Sequence, residues 1–150
     1  MKHPSLLALA VAGIVAALPA HAQFQKPEDA VKYRQSAMAL QGTTLGSVFA
    51  MANGRVPFDA KVASENIEII AMLNKLQFRA FVEGSEVGNT KTKPTVWTQK
   101  DKFAAEITKN QEAVAKLVAA GKTGNLDQIK AAVGPVGQSC KSCHDEFRKD

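Results

Sequence analysis

Apolar residues recur at steps of three and four along most of the chain, in four blocks separated by turn residues, and alternation with a period of two is absent. The first block opens at Pro27, a residue favoured in a first helical turn, and Glu28 and Asp29 beside it suit the positive end of a helix dipole. Its seam reads Val31, Met38, Leu45 and Ala52, backed by Val48 and Phe49, and Asn53-Gly54 ends it. A second block begins at Asp59, with Val62, Ile69, Leu73, Leu76 and Ala80 assigned to one face, and closes near Gly84. The third opens on Thr98 and Asp101, the spacing of a capping box, and runs through Phe103, Ile107, Val114 and Leu117 to Gly121.

The fourth block, from about Asn125, carries the sharpest pattern. Leu126, Ile129, Val133, Val136, Cys140, Cys143 and Phe147 form an unbroken stripe, so both cysteines belong to the inward face of a bundle. Gly134-Pro135 interrupts the local rule and predicts a kink or local opening. Short first and third connections favour an all-α, antiparallel up-down-up-down four-helix bundle. The longer connection from Glu83 to Trp97 reads as an ordered loop over one end, with room for a helical turn.

Residues 1–22 belong to a different class. Lys2, the apolar run from Leu6 to Leu18, and Pro19-Ala20-His21-Ala22 have the layout of a cleaved secretory leader, and the run is short for a membrane span. The expected product is one domain over residues 23–150, periplasmic and without a membrane segment. The net charge of +5 includes Lys2. The remaining basic residues are spread along the helices without interleaved aromatics, which gives no nucleic-acid footprint. His3 and His21 leave with the leader, so His144 is the only histidine of residues 23–150.

Cys140-Lys141-Ser142-Cys143-His144 is the Cys-x-x-Cys-His signature of covalent c-type haem. Two thiols three residues apart each add to one vinyl group on one porphyrin edge, and the adjacent imidazole, His144, reaches the iron. Cys140 and His144 stand one turn apart and share a helix face. A redox dithiol belongs at the start of a helix in a strand-helix fold. A zinc site needs about four protein ligands, and a disulfide leaves His144 without a purpose. The motif lies so near the C-terminus that any sixth iron ligand comes from an earlier helix. At about 1.5 Å per residue, Arg34 and Met38 lie roughly 10–17 Å into the first helix, level with the end of an antiparallel fourth, while Met51 is about 36 Å along. Met72 lies beside the seam of its helix. Met38 is therefore the candidate for the open face of the iron, with plain core filler as its alternative.

Lys26-Pro27-Glu28, Lys32-Tyr33-Arg34-Gln35, Met38, the Pro94/Trp97 loop and the segment Cys140 to Arg148 together resemble the cytochrome c′ family over nearly all of residues 23–150. The resemblance implies one haem c, usually five-coordinate and high-spin on His144 alone, under an apolar cover that Met38 supplies. It implies that Arg34, with Gln35 beside it, is a propionate partner, helped by Thr92 or Lys93, unless Arg34 is an ordinary surface arginine. Arg148 corresponds to a basic residue on the histidine side, or else serves the helix dipole. Phe78, Phe81 and Phe147 read as core and haem packing, and Trp97 as the anchor of the loop. An open site of this kind admits uncharged diatomics, nitric oxide above all and carbon monoxide with it. The expected role is gas binding with electron transfer to an unidentified redox partner, without catalytic turnover, in a homodimer formed through the first two helices. The competing form is a six-coordinate, low-spin electron carrier with Met38 sulfur on the iron.

Overall fold

The computed structural model describes residues 23–150, and the leader expected over residues 1–22 lies outside the described residues. Helices α1 (Pro27–Ala52), α2 (Ala60–Phe78), α4 (Lys100–Thr123) and α5 (Leu126–Phe147) form the bundle, and α3 (Thr95–Thr98) is a single turn in the long connection. The four long helices pack in a closed ring, α1 on α2, α2 on α4, α4 on α5 and α5 on α1. No helix among the described residues is long and apolar enough to cross a membrane. The up-down-up-down bundle expected from periodicity is the fold observed.

Local chemistry explains most of the boundaries. Pro27 begins α1, and the Arg55 N–H returns to the Ala50 carbonyl at 2.9 Å as the chain leaves it. Asp59 caps α2 by accepting from the Lys61 and Val62 N–H groups at 2.9 and 3.0 Å. Asn125 caps α5 through the Gln128 N–H at 3.0 Å. Such caps satisfy donors that have no partner within the helix.

Four expectations need correction. Thr98 is not the N-cap of α4; it closes α3, and Gln99 takes the cap position without a side-chain bond. Helix α4 runs through Gly121 and ends at Gly124, whose φ of 64° is the left-handed geometry that terminates helices. Helix α5 stays continuous across Gly134-Pro135, both exposed, so the lost donor to the Ala131 carbonyl sits on the solvent side. On α2 the buried stripe is Ala63, Ile67, Ile70, Leu73, Asn74 and Gln77, whereas Val62 and Ile69 face solvent. The helix is apolar on two sides, and the periodicity does not say which side is the inner one.

The largest core cluster fills the end away from the cysteines. Val48, Ile67, Ile70, Leu117, Ile129 and Val136 are its most completely buried members. Two contacts are tight: a Cβ on Gly121 would meet Ile67 at 3.0 Å, and one on Gly137 would meet the Phe49 ring at 3.0 Å. Removing Ile67 would open a void where α2 and α4 come closest. Ile67→Ala is expected to cost about 2–5 kcal/mol, read as a lower urea midpoint with an unchanged slope.

Candidate haem site

At the other end the inward stripes stop being apolar. Arg34 and Gln41 on α1, Asn74 and Gln77 on α2, and Glu106 and Asn110 on α4 are all buried. Around them opens a cavity of about 460 Å³, within the range of small-molecule and cofactor sites. Cys140, Cys143 and His144 form one wall, and Met38, with Ala39 and Leu45, stands on the α1 side. Phe78, Phe81, Phe103 and Phe147 supply apolar lining, and Thr90 and Thr92 come from the long loop. The rings of Phe81 and Phe103, and of Phe103 and Phe147, meet edge to face at 5.0 and 5.1 Å.

Arg34 is 1% exposed, which removes the surface-arginine alternative. Its guanidinium donates to the Ala80 carbonyl and Ser85 Oγ at 2.9 Å, to the Ser85 carbonyl at 2.6 Å and to Thr90 Oγ1 at 3.1 Å. It also lies 5.1 Å from the centre of the Phe81 ring. Burial lowers its pKa and the charge of Glu86 opposes that shift, yet an arginine stays charged. Only Nε has no partner. Arg34 therefore fastens the α2–α3 connection over the cavity, a duty that the sequence pattern does not announce, and keeps one donor free. Gln35 is exposed and holds the same loop through the Asn89 carbonyl at 2.9 Å.

The loop also grips the end of α5. Lys93 Nζ donates to the Asp145 and Glu146 carbonyls at 3.1 Å, and the Lys93 N–H to the Phe147 carbonyl at 2.8 Å. Thr92 pairs with Arg148 in an isolated antiparallel bridge. Arg148 lies just past the helix with extended backbone, exposed, and it lines the cavity beside His144. Trp97 Nε1 donates to the Val82 carbonyl at 3.1 Å, the anchoring role expected of it. Met51 is buried in the far core and Met72 is 65% exposed, so Met38 is the methionine that reaches the cavity.

The attachment motif sits in a polar frame. Asn74 Nδ2 donates to Asn110 Oδ1, and Asn110 Nδ2 donates to Ser139 Oγ at 2.8 Å and approaches Cys140 Sγ at 3.6 Å. Glu106 accepts from Ser142 Oγ at 2.9 Å and pairs with Lys109 at 2.6 Å, and the Lys109 bond leads the effects that lower its pKa. Both cysteines are half-buried free thiols. Burial raises both, and with the Glu106 charge it takes Cys143 to about 11, so neutral thiols face the cavity. Burial, then Arg148, lowers the pKa of His144 against the pull of Asp145, which favours the neutral, ligating imidazole. None of Gln41, Asn110, Ser85 or Glu106 was singled out from the sequence. For the three on helices the available signal was a place in the inward stripe: Gln41 follows Arg34 by seven residues and precedes Val48 by seven.

A family model described as Cytochrome C′ matches residues 29–148. The chain belongs to the cytochrome c′ family. It is 53% identical over 128 residues to cytochrome c′ of Rubrivivax gelatinosus, covering 85% of this chain and 99% of that protein. The crystal structure of the Rubrivivax protein superposes with a TM-score of 0.83, over 85% of this chain and all of that one. Two structures of mutant cytochrome c prime from Alcaligenes xylosoxidans, one a nitric oxide complex and one with carbon monoxide bound, are each 41% identical with TM-scores of 0.81. Both cover 85% of this chain, and this chain covers 99% and 100% of theirs. Cytochrome c′ is itself a standard example of the up-down bundle.

Covalent haem c is the cofactor of this family and of this chain. The cavity fits it. Two thiols and an imidazole share one wall, aromatic rings flank them, and the free Arg34 donor suits an anionic edge. Replacing Arg34 with methionine would strand two buried carbonyls and open the loop. R34M is expected to lose at least about 2 kcal/mol of stability, whereas Gln35→Ala should stay within about 0.5 kcal/mol, both by urea unfolding of the holoprotein.

Proposed function

We propose that this cytochrome c′ is exported to the periplasm with removal of residues 1–22 and binds small diatomic gases, nitric oxide foremost. In this reading Cys140 and Cys143 carry the thioether bonds and His144 is the single axial ligand. Haem held there supplies an iron that takes up a gas molecule and exchanges single electrons. The protein's part is to shape the two faces. His144, kept neutral, presents a nitrogen lone pair from α5. Met38, half-buried on α1, covers the opposite side and excludes water and hard anions. Arg148 stands on the histidine side, where its charge is placed to steady a ligand arriving there. Arg34 through Nε, with Gln35, forms the propionate side, and Thr92 lies in the same loop. Turnover of a substrate is no part of this reading; electron transfer to an unidentified redox partner is.

The observation that carries the proposal is the composition of the wall facing the motif. Among the described residues it offers a thioether, amides and apolar groups, and no second imidazole. That same thioether supports the second reading, in which Met38 sulfur binds the iron and the protein is a low-spin electron carrier. The ferric absorption and spin-resonance spectra separate the two. A high-spin spectrum, unchanged in Met38→Ala, is the expected result. A low-spin spectrum with a sulfur–iron charge-transfer band, lost in Met38→Ala, would establish the carrier instead.

The outer face of α1 and α2 supports the homodimer. Val62, Ile69 and Met72 on α2 are 42%, 46% and 65% exposed, and Leu40 on α1 is 59% exposed. Asn66 donating to Ser47 Oγ at 3.2 Å sets the antiparallel register that brings Leu40 level with Met72. A second copy covering this strip would remove it from water, as isologous interfaces do. Met72→Glu combined with Ile69→Glu is expected to sediment as a monomer with the haem spectrum intact. A wild-type chain that is monomeric at every concentration would refute the assembly.

A further inference from the structure

We propose that the side-chain amide of Gln41 is the hydrogen-bond donor to a diatomic ligand held on the haem face opposite His144. The inference rests on the gas-binding reading above and deepens it. The apolar cover implied by the family resemblance describes Met38 and leaves out its neighbour. Gln41 follows Met38 by three residues, one helical turn, so the two share a face of α1 and both line the cavity.

Most of the other polar groups at this end are paired within the protein. Arg34 holds the loop through four bonds, Ser85 donates to the Val82 carbonyl at 2.6 Å, Asn74 and Asn110 hold each other, and Glu106 holds Lys109 and Ser142. Gln41 is different. It is 4% exposed, its Oε1 is sealed without a partner, and its Nε2 is not sealed, so the N–H groups are the end that meets the cavity. Buried amides are normally paired, and an unpaired one marks either a cost to stability or a waiting ligand. Haem offers no donor or acceptor on its faces. Its acceptors are the propionates, assigned above to Arg34 and Gln35, so on the Met38 side the acceptor left to Gln41 is the outer atom of a small molecule on the iron. Gln77 on α2, also buried and lining the cavity, is the rival donor that the test must separate from Gln41.

The test uses ferrous holoprotein and carbon monoxide as the probe. An N–H directed at the outer oxygen strengthens back-donation and lowers the C–O stretching frequency. Gln41→Leu keeps the volume and removes the amide. It is expected to raise the C–O stretch and to release carbon monoxide about two- to tenfold faster, the range of one hydrogen bond. Gln77→Leu should leave both unchanged. Gln41→Met, of similar length, gives the same readout if Gln41→Leu fails to accumulate with haem. An unchanged stretch in either Gln41 variant, or a shift found in Gln77→Leu alone, would overturn the assignment while leaving gas binding intact. A wild-type protein that forms no carbon monoxide adduct would remove both readings together.

Discussion

The architecture depends on one constraint: four helices must bury their inner faces, and on three of them only part of that face is apolar. Away from the cysteines the stripes are mostly Val, Ile, Leu and Ala, and they pack against one another. Toward the cysteines they carry Arg34, Gln41, Asn74, Gln77, Glu106 and Asn110. Closing the bundle there by side chains alone would press amides and a carboxylate into a dry interior, which is costly without partners. The protein instead stays open at that end and lines the gap with aromatic rings. The cofactor is thus the missing part of the hydrophobic core as well as the reactive group.

Holding that gap in shape falls to the long connection. Arg34 reaches from α1 to the end of α2 and into the loop, and Lys93 reaches from the loop to the last carbonyls of α5. The two cations tie the loop to opposite ends of the chain, Arg34 from α1 and Lys93 from the loop itself, each through neutral carbonyls or hydroxyls. Lys93 is well placed for this, because the C-terminal carbonyls of a helix have no partner within it and carry the negative end of its dipole. The loop is therefore a structural wall of the site, with Thr90 and Thr92 as its inner surface.

Much of this was legible in the sequence, for identifiable reasons. Pro27, Asp59 and Asn125 mark helix starts because their chemistry suits no other position nearby. The stripe on α5 was read correctly because its polar positions are plainly polar. On α2 the apolar residues cover two faces, since Val62, Ile69 and Met72 add an outer strip to the inner one, and the expected stripe mixed the two: Leu73 and Ala80 are buried, Val62 and Ile69 are not. Helix α4 was ended too early at Gly121, where the missing side chain serves close packing against Ile67 and the chain does not turn. Cys140, Cys143, His144 and Met38 come together on the cavity because motif and register constrain where they lie. Arg34 was placed by resemblance, and its grip on Ala80, Ser85 and Thr90 depends on a loop conformation that no local pattern encodes. Gln41 and Asn110 were missed for a simpler reason. A polar residue within an apolar stripe looks like noise until its neighbours on the other helices are seen to be polar too.

The glycines at 121 and 137 give the bundle a mechanical property. Each lets a neighbouring helix come within van der Waals range of backbone, through Ile67 on α2 and Phe49 on α1. A side chain added at either glycine would make Ile67 or the Phe49 ring give way by a few tenths of an ångström. Helix spacing here is set by the smallest residue the chain has, so a single added methyl group is felt by the neighbouring helix.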